Sequence, residues 1–136
     1  MSHSRSVVRA FVHIAPAVAY VVLIFVMGSM PPGSNPTAGV NDKLVHALGF
    51  GALVPLNQLA LGYAFARWTP WRTLLTSAVV AGALGGLLEL HQLAFTRRSA
   101  EVLDWVADLV GIGFVVALMA GYAAWRPADT APTSEG

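Results

Sequence analysis

The run VVRAFVHIAPAVAYVVLIFVMGSM, from Val7 to Met30, decides what kind of fold this chain has. Arg9 is its only charged side chain, and about 20 apolar residues suffice for an α-helix to cross the hydrocarbon core of a bilayer. A short basic leader with Arg5 precedes the run, as in a signal peptide. The apolar part is longer than the roughly 7 to 15 residues of a signal peptide, and no clear cleavage site follows. We therefore expect a retained membrane-spanning helix.

Three more apolar stretches of similar length follow, at Leu44 to Trp68, Trp71 to Phe95 and Val102 to Trp125. Of the 136 residues, 56% are hydrophobic and only 11% are charged, which is too apolar for a water-soluble domain. The sequence predicts an all-α fold, an integral membrane four-helix bundle with short loops and with both termini on the same side. We expect an N-terminal leader at residues 1–6, the transmembrane domain at 7–125 and a polar C-terminal tail at 126–136.

The helix ends are marked by residues that cap or break helices. The prolines and glycines of MPPGSNPTAG, residues 30–39, predict a loop after the first helix. Asn41 is suited to cap the second helix, and Thr69 followed by proline to start the third. Ser99 is expected to cap the fourth helix, with Glu101 in its first turn. The chain has no cysteine, which excludes disulfides and thiolate chemistry.

The basic residues near the helix ends predict the orientation in the membrane, because short cytoplasmic loops carry an excess of lysine and arginine. If the helices alternate in direction, one side of the membrane receives Arg5, Arg9, Arg67, Arg72 and Arg126, and the other side receives Lys43, Arg97 and Arg98. This margin of five to three predicts that both termini are cytoplasmic.

Polar residues gather at the opposite, outer end of the predicted bundle, where the second and fourth helices begin and the third ends. Glu89 and Asp108 each lie about a turn or more inside a helix, and a carboxylate facing lipid costs several kcal/mol. We expect both to face the bundle interior and to find donors there, among Lys43, His46, Arg97 and Arg98. Small residues permit the close helix packing that this requires, and the candidates are Gly82, Gly86, Gly111 and Gly113.

Three stretches of this outer end resemble the VanZ-like family, small polytopic bacterial membrane proteins named for a teicoplanin-resistance protein. They are DKLVHALGFGALVPL at residues 42–56, ELHQ at 89–92 and RSAEVLDWVADLVG at 98–111. The resemblance implies a polar cluster with the members Asp42, Lys43, His46, Glu89, Gln92, Arg98, Asp104 and Asp108. Asp108 stands where many members of the family carry asparagine. The resemblance further implies the bacterial cytoplasmic membrane, a role in the cell envelope and a link to antibiotic resistance, but no defined reaction.

One interpretation is that the outer cluster interacts with a cell-envelope ligand or a glycopeptide drug. Outward-pointing helix N-termini together with Lys43, Arg97 and Arg98 suit a phosphate or carboxylate. Carboxylates outnumber these bases, however, so a zwitterion such as a lipid-linked cell-wall precursor fits better than a purely anionic ligand.

The alternative interpretation is an accessory structural subunit of a larger membrane protein complex. A small bundle rich in glycine and alanine is suited to helix–helix contacts. Four apolar side chains of the third helix would then face a partner or lipid, namely Leu74, Leu75, Val79 and Leu88.

Catalysis is the least favoured interpretation. The motif ELHQ is not HExxH, and His91 lies two residues from Glu89 and so on a different helix face. We predict no catalytic residue, no metal ligand and no cofactor. Membrane lipids are expected partners, and nucleic acid is not, because the basic residues form no patch.

Overall fold

A computed structural model of the chain describes residues 2–31, 34, 36–37, 39–96 and 101–126. It contains four helices and, in these residues, no strand: α1 (Ser2–Ser29), α2 (Asp42–Ala64), α3 (Pro70–Phe95) and α4 (Val102–Trp125). Each helix is long and apolar enough to cross a membrane, with α1 contributing Val7–Ser29. The all-α prediction is confirmed. Helix α1 starts at Ser2 and so extends into the segment that we expected to be a separate leader.

Contacts between helix ends show that successive helices run in opposite directions, and one of them joins the end of α3 to the start of α4, where Glu89 accepts from the backbone N–H of Glu101. The hydroxyl of Ser29 lies 2.9 Å from Nε2 of His91, which joins the end of α1 to the end of α3. The ammonium of Lys43 donates to Asp104 over 2.9 Å, which joins the starts of α2 and α4. Four such helices return the chain to the side from which it started. We call the end that holds these contacts the cluster end of the bundle.

Two of the expected caps are present, and the third is not. Asn41 Oδ1 accepts from the backbone N–H of Leu44, and Thr69 Oγ1 accepts from that of Arg72, each over 3.2 Å. The prediction for α4 is wrong, because Glu101 rather than Ser99 occupies its N-cap position and makes no side-chain cap bond. Ser99 itself lies outside the described residues.

Side chains from α2, α3 and α4 form the buried core, with Phe50, Leu53, Val54, Leu74, Ala81, Leu88 and Ile112 at its centre. The expectation that Leu74 and Leu88 face a partner or lipid is therefore wrong. Leu75 and Val79 are exposed, as expected. The apolar side chains of α3 show little contrast between its faces, so their pattern did not show that Leu74 and Leu88 lie inside; Glu89 is the side chain that marks the inner face.

Glycines allow α2 and α4 to approach until their backbones touch. A Cβ placed on Gly111 would overlap the backbone carbonyl group of Ala47. Opposite it, a Cβ on Gly51 would lie only 3.1 Å from the backbone oxygen of Gly111. Gly113, one of the expected packing glycines, faces open space instead. The α2–α4 contact therefore depends on Gly111, where the backbones of the two helices touch.

The packing glycines of α3 differ in part from those expected. A Cβ on Gly82 would lie 3.2 Å from Leu109, whereas one on Gly86 would make only an ordinary contact, 3.5 Å from Trp105 Nε1. The tightest position is Gly85, where a Cβ would lie 2.5 Å from Oδ2 of Asp108. Gly85 therefore makes room for a carboxylate of the neighbouring helix.

Candidate functional site

The predicted polar residues that the structure describes meet at the cluster end. Together with Glu101 they form what we call the polar cluster: Asp42, Lys43, His46, Glu89, Gln92, Glu101, Asp104 and Asp108. Arg98, the remaining predicted member, and Arg97 lie outside the described residues.

A buried pair of Asp108 and His46 forms the centre of the polar cluster. Asp108 is 0% exposed and His46 is 8% exposed, and Oδ1 of the aspartate lies 2.9 Å from Nδ1 of the imidazole. When the carboxylate is ionised it only accepts hydrogen bonds, and Nδ1 then carries the hydrogen. The pair fixes the orientation of the imidazole ring and links α2 to α4. As expected from its position within α4, Asp108 faces the bundle interior.

The second oxygen of Asp108 is buried without a hydrogen bond to any described residue. It lies beside Gly85, at the position where any larger residue of α3 would place its Cβ. This carboxylate of α4 therefore packs directly against the backbone of α3 at Gly85, and its geometry depends on all three of α2, α3 and α4.

Asp104 lies one turn before Asp108 and is also buried, at 3% exposure. Its Oδ1 accepts from Lys43 over 2.9 Å, and the same ammonium reaches Oε2 of the half-exposed Glu101 over 3.3 Å. Its Oδ2 faces Nε2 of His46 at 3.9 Å, which is too long for a hydrogen bond. The His46 ring is therefore held between two carboxylates of α4.

Glu89 and Gln92 connect α3 to its neighbours. Oε2 of Glu89 accepts from the backbone N–H of Glu101 over 2.9 Å, while Oε1 is buried without a partner among the described residues. The amide of Gln92 donates to the backbone oxygen of Gly28 over 3.1 Å. Glu89 faces the interior as predicted, but its described partner is a backbone N–H rather than a basic side chain.

A cavity of about 380 Å³ adjoins the polar cluster and lies between α1, α2 and α3. Asp42, His46 and Gln92 form its polar end. The other walls are apolar and include Leu23, Ile24, Met27, Leu48, Phe50 and Leu88. Because Leu23 and Leu48 are also exposed on the outside of the bundle, the cavity opens on the flank that would face lipid.

The remaining histidines with described side chains lie outside the polar cluster. His91 contacts Ser29 and the rings of Phe25 and Phe95 at the α1–α3 contact. His13 stacks on Tyr63 with the ring centroids 4.7 Å apart. These contacts explain both residues as helix-packing groups.

One group of three possible metal-ligand side chains, contributed by two helices, was not predicted from the sequence. Asp42 and His46 of α2 and Asp104 of α4 each offer a ligand atom, and these atoms all lie within 4.8 Å of one another. The spacing of four between Asp42 and His46 is visible in the sequence. The third residue is brought in only by the packing of α4 against α2.

The fold and the polar cluster define a class, that of multi-pass helical proteins with a buried ionic centre at one end of the bundle. Comparisons of the chain with protein-family models, curated proteins and solved structures found no match. The VanZ-like resemblance stays a prediction from the three motifs.

Proposed function

We propose that this protein binds an amphipathic ligand of the bacterial cell envelope, with the apolar part of the ligand in the flank cavity and its head group at the polar cluster. The observation that carries the proposal is the cavity itself. Its volume of about 380 Å³ falls in the range of about 300 to 1,000 Å³ that ligand sites occupy. Its polar groups converge at one end, while its opening faces the membrane, as a lipid-linked ligand would require.

The charges of the polar cluster favour a head group that carries an amine. In the described part of the cluster, five carboxylates face one lysine and one histidine. Asp42, at the polar end of the cavity, is exposed, so a cationic group can approach this end without full loss of hydration. A zwitterionic ligand such as a lipid-linked cell-wall peptide, or a glycopeptide drug with its amino groups, fits this surplus of negative charge better than a simple anion does.

The proposal places the cluster end outside the cytoplasm of a bacterial cell, in agreement with the distribution of lysine and arginine between the two ends. We expect a periplasm-dependent reporter inserted after Ser34 to be active, because the loop between α1 and α2 belongs to the cluster end. The same reporter fused after Arg126 should be silent. The reverse pattern of activities would put the polar cluster in the cytoplasm and would remove the cell-wall ligand.

The cavity can be blocked at Gly49, which lines it and has no atom within 4 Å of the position of an added Cβ. We expect Gly49→Leu to weaken binding of a radiolabelled lipid-linked cell-wall peptide at least tenfold, measured with purified protein in lipid nanodiscs. Gly121→Leu is the matched control, since Gly121 also faces open space but lies near the end of α4.

Equal binding by wild type and both variants would contradict the cavity as the binding site. Binding of teicoplanin in place of the peptide, with the same loss in Gly49→Leu, would identify the ligand as the drug. The native mass after mild extraction tests the accessory-subunit alternative. Comigration with a large assembly, together with absent ligand binding, would favour that alternative.

A further inference from the structure

We propose that Asp42, His46 and Asp104 form a binding site for a divalent transition-metal ion of the Zn²⁺ type at the polar end of the cavity. This site goes beyond the proposed function and does not depend on it, because it rests on the geometry of three side chains rather than on the shape of the cavity. The three ligand atoms lie within 4.8 Å of one another.

The distance between His46 and Asp104 fits two ligands of one ion. Nε2 of the imidazole and Oδ2 of the carboxylate are 3.9 Å apart, beyond hydrogen-bonding range. Nitrogen and oxygen ligands bind Zn²⁺ at about 2.0 to 2.2 Å, so two of them on one ion lie roughly 3 to 4 Å from each other. The gap between these two buried side chains therefore has the width that a shared ion requires.

The orientation of His46 points independently to a ligand. The side chain is 8% exposed, and its Nδ1 is occupied by the fully buried Asp108. Metal-binding histidines commonly donate their second ring N–H to a carboxylate, which fixes the tautomer and leaves the other nitrogen free to bind. Here that other nitrogen is Nε2, which faces Asp104 and has no hydrogen-bond partner among the described residues.

The remaining atoms of the site agree with this assignment. Asp42 and His46 lie four residues apart on α2 and so share a helix face. Of the two carboxylate oxygens of Asp104, only Oδ1 accepts from Lys43. The other oxygen, Oδ2, faces the imidazole of His46. Lys43 adds a positive charge beside the ion, but the carboxylates of Glu101 and Asp108 lie within the same network.

The donor set indicates the kind of ion. One imidazole and two carboxylates favour Zn²⁺ and similar transition metals, since Mg²⁺ and Ca²⁺ prefer ligand sets made only of oxygen. Three protein ligands would leave the fourth position of a tetrahedral ion open. Because Asp42 and His46 also line the cavity, this position would face its interior, where an anionic group of a bound head group could reach it.

The test is a metal titration of the purified, tag-free full-length protein in nanodiscs, after removal of bound metal with a chelator and without any envelope ligand. We expect one Zn²⁺ per chain, and we expect Co²⁺ to give the visible absorption of a tetrahedral nitrogen and oxygen site. Asp42→Asn should weaken binding at least tenfold, and His46→Gln should abolish the Co²⁺ spectrum. Since Asp42 is exposed, its replacement by the isosteric asparagine is expected to leave the fold intact.

Two matched controls separate this site from general binding to histidine. His91→Gln and His13→Gln each remove a histidine that lies outside the polar cluster. Both should bind Zn²⁺ like the wild type. Binding that is lost in His91→Gln but unchanged in Asp42→Asn would overturn the site, as would absence of stoichiometric binding to the wild type. The variant Gly49→Leu, by contrast, is expected to lose binding of the envelope ligand and to bind Zn²⁺ like the wild type.

Discussion

Gly111→Ala is expected to destabilise the bundle more than any other single-methyl substitution in the described helices. The added Cβ would overlap the carbonyl group of Ala47, which belongs to the backbone of α2 and cannot rotate away as a side chain would. Relief of the overlap requires α2 and α4 to separate along their whole contact, which carries both the Lys43 and the His46 bonds to α4. Overpacking costs about 1 to 3 kcal/mol and occasionally more, and an overlap with backbone atoms that cannot rotate away belongs at the upper end.

The measurement is the thermal unfolding of the detergent-purified protein, together with its level in the membrane. Gly113→Ala is the matched control, because it adds the same methyl group two residues later on the same helix, where nothing lies within 4 Å. We expect Gly113→Ala to unfold at the wild-type temperature or slightly above it, since alanine favours helix over glycine by about 1 kcal/mol. Equal unfolding temperatures for the two variants would mean that the helices are not in backbone contact at Gly111.

Asp108→Leu is expected to have an effect at least as large. It removes the partner of the buried His46 Nδ1 and places a branched side chain against Gly85. Breaking a buried ionic pair on one side costs about 3 to 5 kcal/mol. Glu89→Leu should cost less, about 1 to 3 kcal/mol, because it leaves one backbone N–H at Glu101 without its acceptor.

Two substitutions provide the controls for Asp108→Leu. Glu101→Leu removes a half-exposed carboxylate, whose ion pair with Lys43 contributes at most about 1 kcal/mol. Asp108→Asn keeps an oxygen that can accept a hydrogen bond from His46 but removes the negative charge. We expect this variant to retain most of the unfolding free energy that Asp108→Leu loses. If Glu101→Leu, Glu89→Leu and Asp108→Leu all had the same unfolding temperature and membrane level, the carboxylates would not form a buried centre.

The number and direction of the helices could be predicted from the sequence, because they follow from strong local signals. Four apolar stretches of membrane-spanning length fix the helix count, and Asn41 and Thr69 mark two of the helix starts with side chains that cap them. Alternation of four helices then brings the polar residues to one end. The inward direction of Glu89 and Asp108 followed from the cost of exposing a carboxylate to lipid.

The pairing of residues within the polar cluster could not be predicted, because it depends on the rotation of each helix about its axis. Gly85 and Gly86 are adjacent and point in different directions from α3. The rotation of this helix about its axis decides that Gly85, and not Gly86, lies against Asp108. The sequence suggested basic side chains as partners for Glu89; among the described residues the partner is the backbone N–H of Glu101, and Arg97 and Arg98 lie outside them. The apolar residues of α3 show no periodic contrast that would reveal this rotation. A signal for Gly85 was nevertheless present in the sequence, because an inward-facing Glu89 places Gly85, four residues before it, on the same helix face.

Helix α1 has a different relation to the bundle from that of the other three. It packs chiefly against α2, meets α3 near Gly28 and has no contact with α4 in the described part of the chain. The buried centre at Asp108 is built entirely by α2, α3 and α4. Among the four helices, α1 is therefore the one on which this buried centre depends least. What α1 adds is one wall of the flank cavity, since without it the faces of α2 and α3 that line the cavity would form an open groove.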